Sequence, residues 1–216
     1  MVRRLFDIVL SAGALIALSP LWAIASAGIR LSSPGPLLFT ARRMGRHGRE
    51  FTMYKFRTMH RGAERGAAIT AANDPRVYRF GRWLRASKID ELPQLINVLK
   101  GDMSIVGPRP EDPDIVRRCY RAEDLETLAV RPGLASPGSI YNYTHGEQRL
   151  TSADAVAAYG DTLLPLKLAL DRVYLRDATV VYDVRIIART VYVIVARAFG
   201  RRQFADPPEM KVLGSS

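Results

Sequence analysis

Lys88-Ile89-Asp90-Glu91-Leu92-Pro93-Gln94-Leu95-Ile96-Asn97-Val98-Leu99-Lys100-Gly101-Asp102-Met103-Ser104-Ile105-Val106-Gly107-Pro108-Arg109-Pro110 is the stretch from which the fold is read. Apolar residues at 89, 92, 95, 96, 98 and 99 follow a helical period, which predicts a helix over 89–99 with Asp90 and Glu91 in its first turn. Pro93 suits an early helical turn, and Gly101-Asp102 then supplies a turn into a short strand. Arg109 stands between two prolines, so its backbone is constrained and its five-donor fork suits a phosphate or the polar edge of a nucleotide. Acidic residues in a first turn are favoured by the helix dipole alone, so Asp90-Glu91 taken in isolation reads more often as a capping pair than as a catalytic one. Basic side chains nearby, in a chain of net charge +11, tilt the reading towards chemistry on a phosphate.

Working outward, residues 77–87 predict a helix, with Arg76, Arg79, Arg82 and Arg85 recurring every three residues along one side. Arg85 and Lys88 sit close enough to Asp90 to neutralise an anionic substrate. Residues 37–43 and 50–59 read as two strands joined by Gly45-Arg46-His47-Gly48, a β-hairpin. Lys55 and Arg57 share one face of its second strand, where they are either solvated or reach a phosphate. Beyond the central run, 155–171 and 180–199 read as helices. The latter carries Arg185, Arg189 and Arg197 on an otherwise apolar surface, the pattern of an interfacial helix whose arginines snorkel to headgroup level. Its uncharged stretch, 190–196, is too short for a transmembrane pass. The fold class expected is α+β, mostly helical, with one small β-hairpin.

The 216 residues, 48% of them apolar, suffice for one domain with appendages. A single Cys119 excludes an intramolecular disulfide, and His47, His60 and His145 are too scattered for zinc. Residues 1–60 hold nine Lys/Arg against two Asp/Glu, and 183–216 hold six against three, so the basic excess lies at the two ends. The longest apolar runs lie there too, which favours anionic lipid headgroups as partners. Nucleic acid is the rival for a basic protein, but the chain has no recognition motif and no aromatic interleaving of its basic stretches. From 5 to 31 the only charges are Asp7 and Arg30. Ser19-Pro20 divides that run into two arms, 5–18 and 21–31, neither of which crosses a hydrocarbon core of about 30 Å. The run is too long for a signal peptide. It is either a kinked span or a hairpin that enters and leaves by one face. The arginines on both flanks favour the hairpin, and the positive-inside rule puts the remainder of the chain in the cytoplasm in either geometry. The organisation expected is a re-entrant membrane segment over 1–31, a catalytic domain over 32–182, an interfacial helix over 183–202 and a flexible tail over 203–216.

The central run resembles the signature of the monotopic phosphoglycosyl transferases, a family of bacterial sugar transferases. The likeness extends through the Ser-Pro break, Ser33-Pro34-Gly35-Pro36, Lys55-Phe56-Arg57-Thr58-Met59 and Arg131-Pro132-Gly133, and so covers most of the chain. It implies an enzyme of the bacterial inner membrane, held at the cytoplasmic face by a re-entrant helix and interfacial amphipathic helices. Such an enzyme moves a sugar 1-phosphate from a UDP-sugar to a polyprenol phosphate and releases UMP. Asp90 matches the family nucleophile and Glu91 its partner, with Mg2+ as the expected cation on this pair, since both reactants are anions. Arg109, flanked by Pro108 and Pro110, is expected to grip the nucleotide, with Lys55, Arg57, Arg85 and Arg131 as candidates for the phosphates. Related sequences place an arginine about a dozen residues beyond the Pro-Gly pair. Here Ser139-Ile140-Tyr141-Asn142-Tyr143-Thr144-His145 occupies that stretch. Arg149 is the candidate replacement, and Tyr141, Asn142, Tyr143 and His145 are candidates for sugar specificity, with an ordinary aromatic loop as the plain alternative. A homodimer is compatible with a membrane enzyme of this size. Two other readings stand beside transfer: a membrane scaffold without catalysis, and a nucleic-acid-binding protein supported by charge alone.

Overall fold

The computed structural model describes residues 2–63, 74–146 and 159–214. Their elements are α1 (Val2–Ala17), α2 (Ser19–Ser32), β1 (Leu38–Met44), β2 (Glu50–Phe56), α3 (Arg79–Ala86), α4 (Gln94–Lys100), β3 (Ser104–Val106), α5 (Pro113–Cys119), β4 (Gly133–Ala135), α6 (Pro137–Tyr141), α7 (Leu164–Arg176), α8 (Val180–Ala198) and α9 (Glu209–Leu213). The chain is mostly helical with a small antiparallel hairpin, as expected, and it adds a second two-stranded sheet, β3 with β4. It forms two units, Met1–Ala41 with Thr52–Gly101, and Arg42–Phe51 with Asp102–Ser216. Helices α1 and α2 pack on α4 and α3, so the N-terminal arms belong with the residues that carry Asp90.

In the first unit, α1 and α2 meet at an angle of 61°. Pro20 lies in the first turn of α2, where its missing N–H costs nothing, while its ring prevents α1 from running on. Among the described residues no single helix is long and apolar enough to cross a membrane. Arg4 anchors α1 by donating to the carbonyls of Val98 (2.6 Å) and Leu99 (2.9 Å) at the C-terminal end of α4. Gly28 lets α2 approach α3, because a Cβ there would lie 2.3 Å from the Phe80 ring. Ala25, Ile29, Phe56, Leu84 and Ile89 form the core between them. Asn97 of α4 ties down β2, accepting from Tyr54 N–H (3.0 Å) and donating to the Thr52 carbonyl (2.7 Å).

The single helix expected over 89–99 is broken. Ile89–Glu91 forms a 3-10 turn and α4 begins only at Gln94. Lys88 enters this turn with φ 59°, in the left-handed region that a non-glycine residue rarely occupies. The helix expected over 77–87 is α3, shorter at both ends. Arg76 precedes it and is paired with Asp74, whereas Arg79 and Arg82 are exposed, so the every-third-residue spacing does not form one stripe.

In the second unit β3 and β4 run parallel, with Ser104 opposite Gly133 and Val106 opposite Ala135. Gly107 and Gly133 permit this contact, since a Cβ on Gly133 would lie 2.1 Å from the Gly107 nitrogen. Leu164, Leu168, Leu170, Val173 and Tyr174 of α7 supply much of the core. The stretch 139–145, for which an ordinary aromatic loop was the plain alternative, is helical: α6 continues into a wide turn over Asn142–Gly146. The tail expected to be flexible instead carries α9, whose Glu209 is 2% exposed and accepts from Arg189 (2.6 and 3.1 Å) and Tyr182 (2.7 Å). Arg189 therefore serves an internal pair rather than snorkelling.

Candidate active site

The first unit gathers five of the charged residues selected from sequence. The 3-10 turn projects Asp90 inward, 7% exposed, where its Oδ1 has no hydrogen-bond partner. Glu91 stands beside it with Oε1 3.4 Å from Lys55 Nζ. Burial raises the Asp90 carboxyl above the ordinary range and the charge of Glu91 raises it further, while Lys55, Lys88 and Arg85 oppose both. Arg85 is placed by a hydrogen bond from Nε to Thr58 Oγ1 (2.8 Å). Burial lowers its pKa, against the charges of Asp90 and Asp74. The arrangement is a buried carboxylate beside a half-buried one, edged by three cations, with one acceptor atom of Asp90 unsatisfied.

Arg57, expected beside Lys55 on one strand face, lies just past the end of β2 and turns away. It is 6% exposed and donates to the Ser33 carbonyl (2.5 Å), the Pro34 carbonyl (3.1 Å) and Ser33 Oγ (3.2 Å). Its hydrogen bonds thus secure the exit from α2. Gln94, which sequence reading passed over, is fully buried with neither amide atom bonded. Its position four residues after Asp90, among apolar neighbours, was the available signal.

Asp90 and Glu91 are oxygen donors of the kind magnesium takes, one or two carboxylates being its usual protein share beside phosphate and water. The unpartnered Asp90 Oδ1 fits such a role. Among the described residues no group of three or more His, Cys, Asp or Glu side chains converges, so the pair is not part of an all-protein cage.

In the second unit Pro108 and Pro110 are buried on either side of a half-buried Arg109, which lines a recess with Met44, Gly45 and Glu111. Arg131 is half-buried, and its carbonyl approaches Gly107 so closely that a Cβ there would lie 2.6 Å away. Tyr141 and Tyr143 are buried. The Tyr141 ring stacks on His145 at 4.8 Å, and Arg197 lies 4.1 Å over the Tyr143 ring while donating to the Tyr143 carbonyl. His145 Nε2 lies 3.2 Å from the Phe204 carbonyl. Asn142 is half-buried in the same turn. Arg149 lies outside the described residues. Sequence reading also passed over Glu111, Tyr159, Lys167 and Asp171, which form a buried polar cluster behind Arg109. The signal was a lysine and an aspartate four residues apart inside the leucine-rich run 163–171.

Comparison with known proteins places this geometry in context. The model of the bacterial sugar transferase family matches residues 1–197. The chain is 37% identical over 196 residues to an undecaprenyl-phosphate glucose phosphotransferase of Komagataeibacter xylinus, covering 88% of this chain and 35% of that protein. It is 37% identical over 204 residues to a UDP-N-acetylgalactosamine-undecaprenyl-phosphate N-acetylgalactosaminephosphotransferase of Aeromonas hydrophila, covering 93% and 45%. The chain thus spans less than half the length of these two relatives. An exopolysaccharide production protein, PSS, of Rhizobium leguminosarum bv. phaseoli is 35% identical over 206 residues, covering 92% of this chain and 98% of its own.

Proposed function

The chain belongs to the bacterial sugar transferase family, and on that footing we propose that it transfers a sugar 1-phosphate from a UDP-sugar to undecaprenyl phosphate, through a phosphosugar held covalently on Asp90. The observation that carries this reading is the buried Asp90 carboxyl with its unsatisfied Oδ1, flanked by Glu91 and the cations Lys55, Lys88 and Arg85. The names of the relatives support the donor and acceptor classes.

In the first step an Asp90 oxygen attacks the phosphorus that bears the sugar, the bond from that phosphorus to the bridging diphosphate oxygen breaks, and UMP leaves with the electron pair. In the second step an oxygen of the lipid phosphate attacks the same phosphorus, the acyl phosphate bond breaks and the Asp90 carboxylate is restored. One difficult transfer between anions becomes two easier ones. Lys55, Lys88 and Arg85 lower the repulsion between carboxylate and diphosphate, and burial of Asp90 excludes water from the intermediate. Glu91, fixed by Lys55, is suited to accept a proton from the lipid phosphate or to share a cation with Asp90. Bound magnesium supplies charge neutralisation on the donor's phosphates, with Asp90 and Glu91 as the residues that would hold it. Arg109 serves the donor's nucleotide end.

The reading also places the protein on a lipid surface. Helix α1 buries Asp7 (4% exposed) and Ser11 (0%) while exposing Leu5 (64%), Val9 (63%) and Ile16 (76%), the reverse of a helix that faces water. Helix α8 buries Asp183 and exposes Val181, Val184, Val191 and Val195 at helical spacing. Apolar outer faces of this kind fit a re-entrant α1–α2 and an interfacial α8 on the cytoplasmic leaflet.

The test is UMP release and lipid labelling from a panel of radiolabelled UDP-sugars with undecaprenyl phosphate. Asp90→Asn is expected to lower turnover by about a thousandfold or more and to abolish the protein-bound label, whereas Glu91→Gln keeps the label. Label retained by Asp90→Asn would refute the assignment.

A further inference from the structure

Helix α7 carries two buried charged side chains one turn apart, Lys167 (2% exposed) and Asp171 (0%), and both act on the same short segment, Pro108 to Glu111. Asp171 accepts from the Gly138 N–H (2.8 Å), from Ser136 Oγ (3.2 Å) and from the backbone N–H of Arg109. Lys167 Nζ donates to Glu111 Oε1 and to the Tyr159 hydroxyl (2.8 Å), and that hydroxyl donates to the same Glu111 oxygen (2.7 Å). The carbonyl of Pro108 accepts from Gly133 N–H (2.9 Å) and that of Glu111 from Met44 N–H (2.9 Å). The peptide plane before Arg109 is therefore held from both sides, the Glu111 carbonyl is tied to Met44, and the proline rings fix the φ angles at 108 and 110.

Burying ions in this way is a poor route to stability alone, since each loses its hydration and an apolar pair of similar volume packs as well. What ions supply is direction. A carboxylate that accepts one particular N–H, and an ammonium that holds one particular carboxylate, fix orientation as packing contacts do not. Positioning matters for a guanidinium that must meet a diphosphate with two parallel bonds, where a misplacement of about 1 Å costs up to about a hundredfold.

We propose that Lys167 and Asp171 are positioning residues for Arg109: from α7 they lock the Pro108–Glu111 backbone so that the Arg109 guanidinium is presented in one orientation to the diphosphate of the nucleotide donor. This rests on the reading that Arg109 serves that donor.

The full chain in lipid vesicles is titrated with UDP and assayed for UMP release, comparing Asp171→Asn, Arg109→Ala and the double variant. Asp171→Asn is expected to weaken UDP binding and raise the donor KM by about tenfold, with kcat and the acceptor KM changed by less than about threefold. The double variant is expected to bind UDP no more weakly than Arg109→Ala alone, because a positioning residue has nothing left to position. Losses that multiply in the double variant, or a fall in kcat together with a rise in both KM values, would overturn the proposal in favour of a structural role. Lys167→Arg, which keeps the charge and shifts its position, takes the same comparison if Asp171→Asn does not fold. UDP binding that depends on Asp171 and Arg109 without UMP release from any donor would refute the transfer reading and leave the positioning claim standing. Unchanged UDP binding in Arg109→Ala would remove both the role of Arg109 and the inference.

Discussion

Two buried carboxylates, Asp90 and Glu111, differ in the company they keep. Both lose hydration on burial. For Asp90 burial leads and the adjacent Glu91 adds to it, while Lys55, Lys88 and Arg85 offset this only in part, so its carboxyl is pushed up. Glu111 has an ammonium and a phenol in direct hydrogen bonds, and these outweigh burial and hold it below the ordinary glutamate value of 4.5. The sign of the stability term follows. Because its folded value is depressed, Glu111 contributes stability that is present at neutral pH and lost as pH falls through the folded value. Glu111→Gln, which leaves Lys167 buried without its counter-charge, is expected to destabilise by about 3 kcal/mol at pH 7. The gap from wild type should narrow below about pH 5, checked by thermal melting as a function of pH. A gap that widens on acidification would contradict the pairing. Asp171 differs again: burial, the leading influence, lifts it to about 7 although three donors and Lys167 work the other way.

At the scale of elements, the short parallel pair of β3 and β4 brings Gly107-Pro108-Arg109 beside Arg131-Pro132-Gly133. Gly107 N–H donates to the Ala135 carbonyl (3.0 Å) and Ser104 N–H to the Pro132 carbonyl (2.8 Å), and both strands depend on the missing side chains of Gly107 and Gly133. Gly133→Ala places a methyl against backbone that has nowhere to go. It is expected to cost about 1–3 kcal/mol and to raise the donor KM, read by melting and UMP release. Gly48→Ala is the control, since at φ +70° it strains the hairpin turn but meets nothing within 4 Å. It should cost about 1 kcal/mol and leave kinetics unchanged. An equal kinetic effect from both would detach β4 from the placement of Arg109.

At the scale of the whole molecule, each unit carries one helix of inverted polarity, α1 in the first and α8 in the second. Val184 (50% exposed) and Val191 (55%) lie two turns apart on the outer face of α8, and Phe199 (88%) follows its end. Val184→Glu with Val191→Glu adds two charges to that face without touching Asp183, Ile186 or Val193, which point inward. Flotation with vesicles containing anionic lipid is expected to show at least tenfold weaker association, with the melting temperature unchanged. Undiminished flotation would show that α8 is not a lipid-facing element. High salt should weaken the wild-type interaction in part, through the basic residues near the chain ends.

Much of this protein was determined by sequence alone, because the deciding physics is local. Proline and glycine placed the break at Ser19-Pro20 and the hairpin turn at Gly45–Gly48, and the spacing of apolar residues gave α8 to within a residue of its end. The acidic pair and the proline-flanked arginine stood out for the same reason. Tertiary structure decided what depended on partners distant in the chain. Polarity alone suggested that Arg189, Arg197 and Arg57 faced lipid or phosphate, but Glu209, Tyr143 and the Ser33-Pro34 backbone engage them. The pairing of β3 with β4 and the hold of Lys167 and Asp171 on the Arg109 backbone share one cause. A strand register or a buried charge has no preference of its own until another element supplies the matching donor, acceptor or close approach.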